Sequence, residues 1–151
     1  MLKSIPCFVS IISETNEPVL VYCPPQYKSD VEHVLKSNVL SNVSLDYFES
    51  NLYQWSTHEK EAPIRPLFQV EGISVFGMLV KTTSLKIVIG FPMSESFDDD
   101  EIEEVFGIVR KLYVRVKCSP FVSLQSNDGN TEISKMLEDR LNEQFEKPTK
   151  T

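Results

Sequence analysis

The side chains in this sequence with chemistry to offer are three cysteines, two histidines and one dense run of carboxylates. The thiols are Cys7, Cys23 and Cys118, and the imidazoles are His33 and His58. Seven carboxylates crowd the stretch from Glu95 to Glu104: Glu95, Asp98, Asp99, Asp100, Glu101, Glu103 and Glu104. A cysteine nucleophile needs a neighbouring base and a setting that lowers its pKa. Cys7 and Cys23 instead lie in apolar, strand-like runs, where a free cysteine behaves as a small hydrophobe. His33 reads as a solvated helix residue and His58 as loop surface. No C-x-x-C or H-x-x-x-H spacing prepares a metal site. No glycine-rich phosphate loop and no G-x-S-x-G elbow occurs. The acidic run lacks the alternating ligands and the glycine of an EF-hand loop. Its simpler reading is negative charge at the positive end of a helix. No catalytic residue, metal or cofactor is therefore expected.

The elements that hold these residues fit one domain. The chain has 151 residues, 41% of them hydrophobic and 25% charged, with a net charge of −7. A length of this order supports one core, read here as 1–146 with a polar tail over 147–151. The acidic balance argues against nucleic acid and against plain electrostatic adhesion to anionic lipid. Three cysteines with no close pair do not make a disulfide framework, and reduced thiols point to the cytosol. The short apolar stretch at the N-terminus runs into Ser13-Glu14 and does not read as a signal peptide. No run approaches the length of a membrane span.

Periodicity predicts strands at Ile5 to Ile12 and Pro18 to Cys23, joined by the turn Glu14-Thr15-Asn16-Glu17. Ser29-Asp30-Val31-Glu32 has the form of a capping box with Ser29 as N-cap. It opens a helix from about Asp30 to about Leu52, with Val31, Val34, Leu35, Val39, Val43 and Tyr47 as its apolar stripe. Gln54 to Pro66 reads as a surface loop, and Leu67 to Glu71 as a half-buried strand. Gly72 marks a tight turn or bulge. Ile73 to Lys81 and Leu85 to Phe91 are strands around Thr82-Thr83-Ser84, with Leu85, Ile87, Ile89 and Phe91 on one face and Val88 and Gly90 on the other.

The clearest helix carries Ile102, Val105, Phe106, Val109, Leu112, Tyr113 and Val116 at helical spacing and stops before Pro120. Its acidic start and its basic end (Arg110, Lys111, Arg115, Lys117) complement the macrodipole. After a linker with Asn127-Asp128-Gly129-Asn130, a last helix aligns Ile133, Leu137, Leu141 and Phe145. The order β-β-α-β-β-β-α-α implies an antiparallel meander and a layered α/β sandwich with helices on both sheet faces.

Several strings in this order resemble the sedlin-like subunits of TRAPP, the transport protein particle that tethers vesicles. They are Pro6-Cys7-Phe8-Val9-Ser10, the run from Val39 to Glu49, Phe68 to Phe76, Leu85 to Phe91, and Val109 to Pro120. The resemblance covers nearly the whole chain and is closest to the fungal TRAPP II-associated branch and its animal sedlin-like counterpart. It implies a longin (SNARE-like) α+β fold: a five-stranded antiparallel sheet with one helix on one face and two on the other. It implies no enzyme activity in the subunit alone. Other TRAPP subunits would be the partners, a Rab GTPase would be served indirectly, and the place would be the cytoplasmic side of the Golgi and trans-Golgi network.

Asp46 matches an acidic position that follows Leu in the family's first helix. With Tyr47 and Phe48 it is a partner-interface candidate, and Tyr53 and Trp55 read either as aromatic anchors for a partner or as caps of the sheet edge. Core packing is the competing reading of Tyr47 and Phe48. The alternatives are a longin regulatory or adaptor-type domain binding a SNARE or coat partner, a cysteine-dependent enzyme, and a small-molecule binder. The first of these needs a SNARE heptad and a membrane anchor, and the sequence to Thr151 holds neither.

Overall fold

Alternation of side chains along an extended chain decides most of this architecture. The computed structural model describes residues 6–24, 30–50, 63–70, 72–93, 98–118 and 129–146, with side chains of the last helix described over 134–144. Strands β1 (Phe8–Ile12) and β2 (Pro18–Tyr22) pair antiparallel, Val9 facing Tyr22 and Ile11 facing Leu20. Asn16 sits in their turn at φ 64, a left-handed conformation that asparagine tolerates better than most residues. Helix α1 (Val31–Ser50) follows, and then the meander β3 (Ile64–Val70), β4 (Ile73–Val80) and β5 (Leu85–Pro92). Gly72, at φ 81, turns β3 into β4, and its carbonyl accepts from Met93 N at 2.8 Å.

β5 returns to lie beside β1, with Phe8 opposite Gly90 and Ile11 opposite Ile87. Hairpin and meander thus become one antiparallel sheet of order β2-β1-β5-β4-β3. Helices α2 (Asp99–Lys117) and α3 (Gly129–Glu146) complete the chain. This is the five-stranded α+β sandwich that the periodicity and the longin resemblance both predict.

Several boundaries differ from expectation, and the predicted strands Ile5 to Ile12 and Pro18 to Cys23 are observed as Phe8–Ile12 and Pro18–Tyr22. The predicted loop over Gln54–Pro66 gives up its end to β3, which starts at Ile64 rather than Leu67. Proline is acceptable there because β3 is an edge strand and its pairing shifts register between Pro66 and Phe68. The helix start is set by Asp30, whose Oδ1 accepts from His33 N at 3.2 Å, in place of the predicted cap Ser29, which lies outside the described residues. An aspartate caps as well as a serine does. Gly129 and Asn130, read as linker, belong to α3.

The sheet separates two cores. On one face Val9, Ile11, Ile87, Ile89 and Phe91 meet Ile102, Val105, Phe106, Val109 and Val116 of α2 and Leu137 and Leu141 of α3. The predicted α2 stripe is confirmed, with Val105, Phe106 and Val109 fully buried. Asp98 caps α2 by accepting from Glu101 N at 2.8 Å, so part of the acidic run serves the helix start. Tyr22 Oη donates to Asn142 Oδ1 at 2.9 Å, and Ser134 Oγ donates to the Val19 carbonyl; both pin α3 to β2. On the other face Phe8, Ile12, Ile73, Val75 and Val88 meet Leu40 and Phe48 of α1.

Candidate functional site

α1 inverts the arrangement its apolar spacing predicts. The buried side of the helix is Ser37, Leu40, Ser41, Ser44 and Phe48. Val31, Leu35, Val39 and Val43 of the predicted stripe are 69%, 60%, 58% and 37% exposed. Of the predicted stripe, Val34 packs against the core from its edge, and Tyr47 stacks on Phe68 with centroids 4.8 Å apart.

The reason lies in the surface beneath the helix. Ser10 of β1 is fully buried and shares a 2.5 Å hydrogen bond with Ser41 Oγ. A valine facing Ser10 would leave that hydroxyl unpaired in the core, which costs about 1–3 kcal/mol. Ser37 Oγ donates to the His33 carbonyl and Ser44 Oγ to the Leu40 carbonyl, each at 2.8 Å, so the remaining inward hydroxyls are satisfied within the helix. Cys23 Sγ lies 3.6 Å from Ser37 Oγ as a donor. Close packing completes the seam. A Cβ on Gly77 would stand 2.7 Å from Phe48 Cζ, and one on Gly90 would collide with the Phe8 ring and Ile73.

The outward residues form a ridge at i, i+4, i+8 and i+12. Asp46 lies two turns beyond Val39, on the same side of the helix, and is exposed. The site is therefore an apolar ridge with a carboxylate at its C-terminal end. Such i±4 rows are what helices use to interlock with grooves of a neighbour. Phe48 is 2% exposed and fills the core over Gly77. Of the sequence candidates, Asp46 therefore faces solvent, Tyr47 flanks it half-buried, and Phe48 is taken up inside. Tyr53 and Trp55 lie outside the described residues, as does His58. The ridge escaped the sequence reading because a valine row at helical spacing looks the same whichever side is buried; the serines at 37, 41 and 44 were the available signal.

Cys7 and Cys23 are buried, and Cys118 is exposed. His33 is half-buried rather than solvated, and its Nε2–H donates to the Cys7 carbonyl at 2.8 Å; the imidazole thus engages the backbone of Cys7. Lys86 sits at the rim of α1 with its Nζ 2.8 Å from Asn16 Oδ1 and 5.9 Å from the Phe48 ring centroid. Burial lowers its pKa below 10.5, and Glu49 partly opposes this. Among the described residues no cluster of three His, Cys, Asp or Glu side chains is placed to hold a metal ion. No helix among them is long and apolar enough to cross a membrane.

Comparison with known proteins adds to this geometry. A family model described as Sedlin matches residues 11–147. TRAPP-associated protein TCA17 of Saccharomyces cerevisiae is 49% identical over 144 residues, covering 93% of this chain and 93% of that protein. The trafficking protein particle complex subunit 2-like protein of Xenopus tropicalis is 21% identical over 136 residues, covering 85% of this chain and 94% of that protein.

Proposed function

The chain belongs to the sedlin family, and from that premise we propose that it is a non-catalytic subunit of the TRAPP complex whose outer α1 face grips a neighbouring subunit. Two relatives named for TRAPP or the trafficking particle, each matched over most of both chains, support the assignment to that complex. The observation that carries the contact face is the ridge of Val31, Leu35, Val39 and Val43, left in solvent by a helix whose inner side is already satisfied. A fully buried Val or Leu side chain contributes about 1.5–3 kcal/mol. Covering this ridge is then enough to drive a specific contact, with Asp46 fixing register by pairing with a donor at the rim.

In this reading the subunit promotes assembly or stability of TRAPP II at the Golgi and trans-Golgi network. It supports nucleotide exchange on a Rab GTPase through the assembled complex. The test is affinity purification of tagged chain from cells, with mass spectrometry of what accompanies it. TRAPP subunits are expected with the native chain and lost with Leu35→Glu or Asp46→Leu, while both variants keep the native thermal transition. Purification of the native chain without any TRAPP subunit would refute the assignment to TRAPP; subunits retained by both variants would refute the α1 face.

A further inference from the structure

α2 carries its charge unevenly. Its first turns hold Asp99, Asp100, Glu101, Glu103 and Glu104, whereas Val105 to Cys118 contains no carboxylate and four cations: Arg110, Lys111, Arg115 and Lys117. The macrodipole accounts for cations in the last turn. It does not account for the surface that they border.

Between the end of α2 and the β4–β5 turn lies a groove of about 540 Å³. Val80, Leu85, Tyr113 and Val114 give it an apolar floor, and Arg110 and Lys117 stand along it. Lys117 Nζ lies 5.7 Å from the Tyr113 ring centroid, within cation–π range, which holds that ammonium above the floor. A second depression of about 440 Å³ shares Arg110 and Val114 and continues past Lys111 and Arg115. Val114, at the junction, is 49% exposed. Among the described residues, the single carboxylate along the walls of the two is Glu14. An apolar trough edged by cations, on a chain of net charge −7, is complementary to one kind of partner segment. A nucleic acid or an anionic membrane would meet the acidic remainder of the chain.

We propose that this groove is a second docking surface, which takes an acidic peptide segment of a partner protein with an apolar side chain seated over Tyr113 and Val114 and flanking carboxylates paired to Arg110 and Lys117. It lies on the sheet face opposite α1, so one subunit bridges two neighbours. The proposal does not rest on the assignment to TRAPP.

Selection of short random peptides displayed on phage tests it, with the native full chain as bait and the Arg110→Glu/Lys117→Glu variant as counter-selection. The expected winners carry carboxylates on both sides of an apolar residue. The best of them, made synthetically, should shift backbone amide resonances of Thr82 to Leu85 and of Arg110 to Cys118. Its affinity should fall about tenfold in the double variant and in Val114→Asp, with thermal transitions unchanged, and its glutamine and asparagine isostere should bind about tenfold more weakly. Failure to enrich acidic sequences, perturbation mapping to α1, or equal binding of the isostere would each overturn the proposal. So would binding of the chain to phosphatidylserine-containing vesicles that Val114→Asp and Arg110→Glu/Lys117→Glu both abolish, which would make the groove a lipid site.

Discussion

The two faces of the sheet are built by different rules. The face under α2 and α3 is packed by aliphatic and aromatic side chains, with its hydrogen bonds kept to the margin at Tyr22 and Ser134. The face under α1 is packed by close approach, with three inward serines, a buried Ser10 and two glycines that admit aromatic rings. The first kind of face needs a helix with one apolar side. The second leaves the helix free to carry its apolar residues outward, where a partner can use them. A helix that keeps valines in solvent while burying serines has had its two sides set by different demands.

The largest effect expected from disturbing this contrast is in the apolar layer. Phe106→Ala should destabilise by about 3–5 kcal/mol, read from the midpoint of urea unfolding. Next come the glycines, which should respond with opposite sign. Gly90→Ala drives a methyl into Phe8 and Ile73 and should cost about 1–3 kcal/mol. Gly107→Ala in α2 meets nothing within 4 Å and should stabilise by about 0.5–1 kcal/mol through helix propensity. A Gly90→Ala variant that loses no stability would mean that the α1 face is not closely packed.

Ser41→Ala strands the Ser10 hydroxyl and should cost about 1 kcal/mol, most of it recovered when Ser10→Ala is added; strict additivity of the two would show that the pair is not coupled. On the outer side, Val39→Ser should change folding stability by no more than about 0.5 kcal/mol while reducing recovery of partner subunits. The smallest effect concerns Lys86. Its folded pKa lies below the unfolded value of 10.5, so the unfolded chain binds that proton more tightly. Stability is lowered by this group below its folded pKa and regained as pH rises from there toward 10.5. The gain should be present in the native chain and missing from Lys86→Met when their unfolding midpoints are compared across alkaline pH.

How far the sequence could be read follows the same division. In β5 the alternation of Leu85, Ile87, Ile89 and Phe91 against Val88 and Gly90 holds residue by residue, because a pleated strand leaves a side chain no other choice. α2 is equally legible, since its charges and its apolar residues occupy separate sides and the acidic cap needs only Asp98 and the next turn. Gly72 announced its turn for the same local reason, a positive φ that side chains resist. Asp46 is singled out through resemblance, and the structure places it in solvent. Phe48, two positions further on, points the other way and is core, a distinction that two residues so close on a helix cannot reveal until the helix is docked.

Local sequence thus determined the strands, their faces, the amphipathic α2 and the order of elements, since each depends on the preferences of a few adjacent residues. Only the tertiary structure decided the orientation of α1. Apolar residues are spread around that helix, so burial of either side is open until the surface beneath is known. That surface is assembled from Phe8, Ser10, Gly77 and Gly90, brought together by pairing of β1 with β5 and of β5 with β4. It accepts small hydroxyls and one phenyl ring, and this sends the valines into solvent. The groove at the end of α2 has the same origin, because Val80 and Leu85 reach Tyr113 and Val114 only once the sheet and the helix have packed.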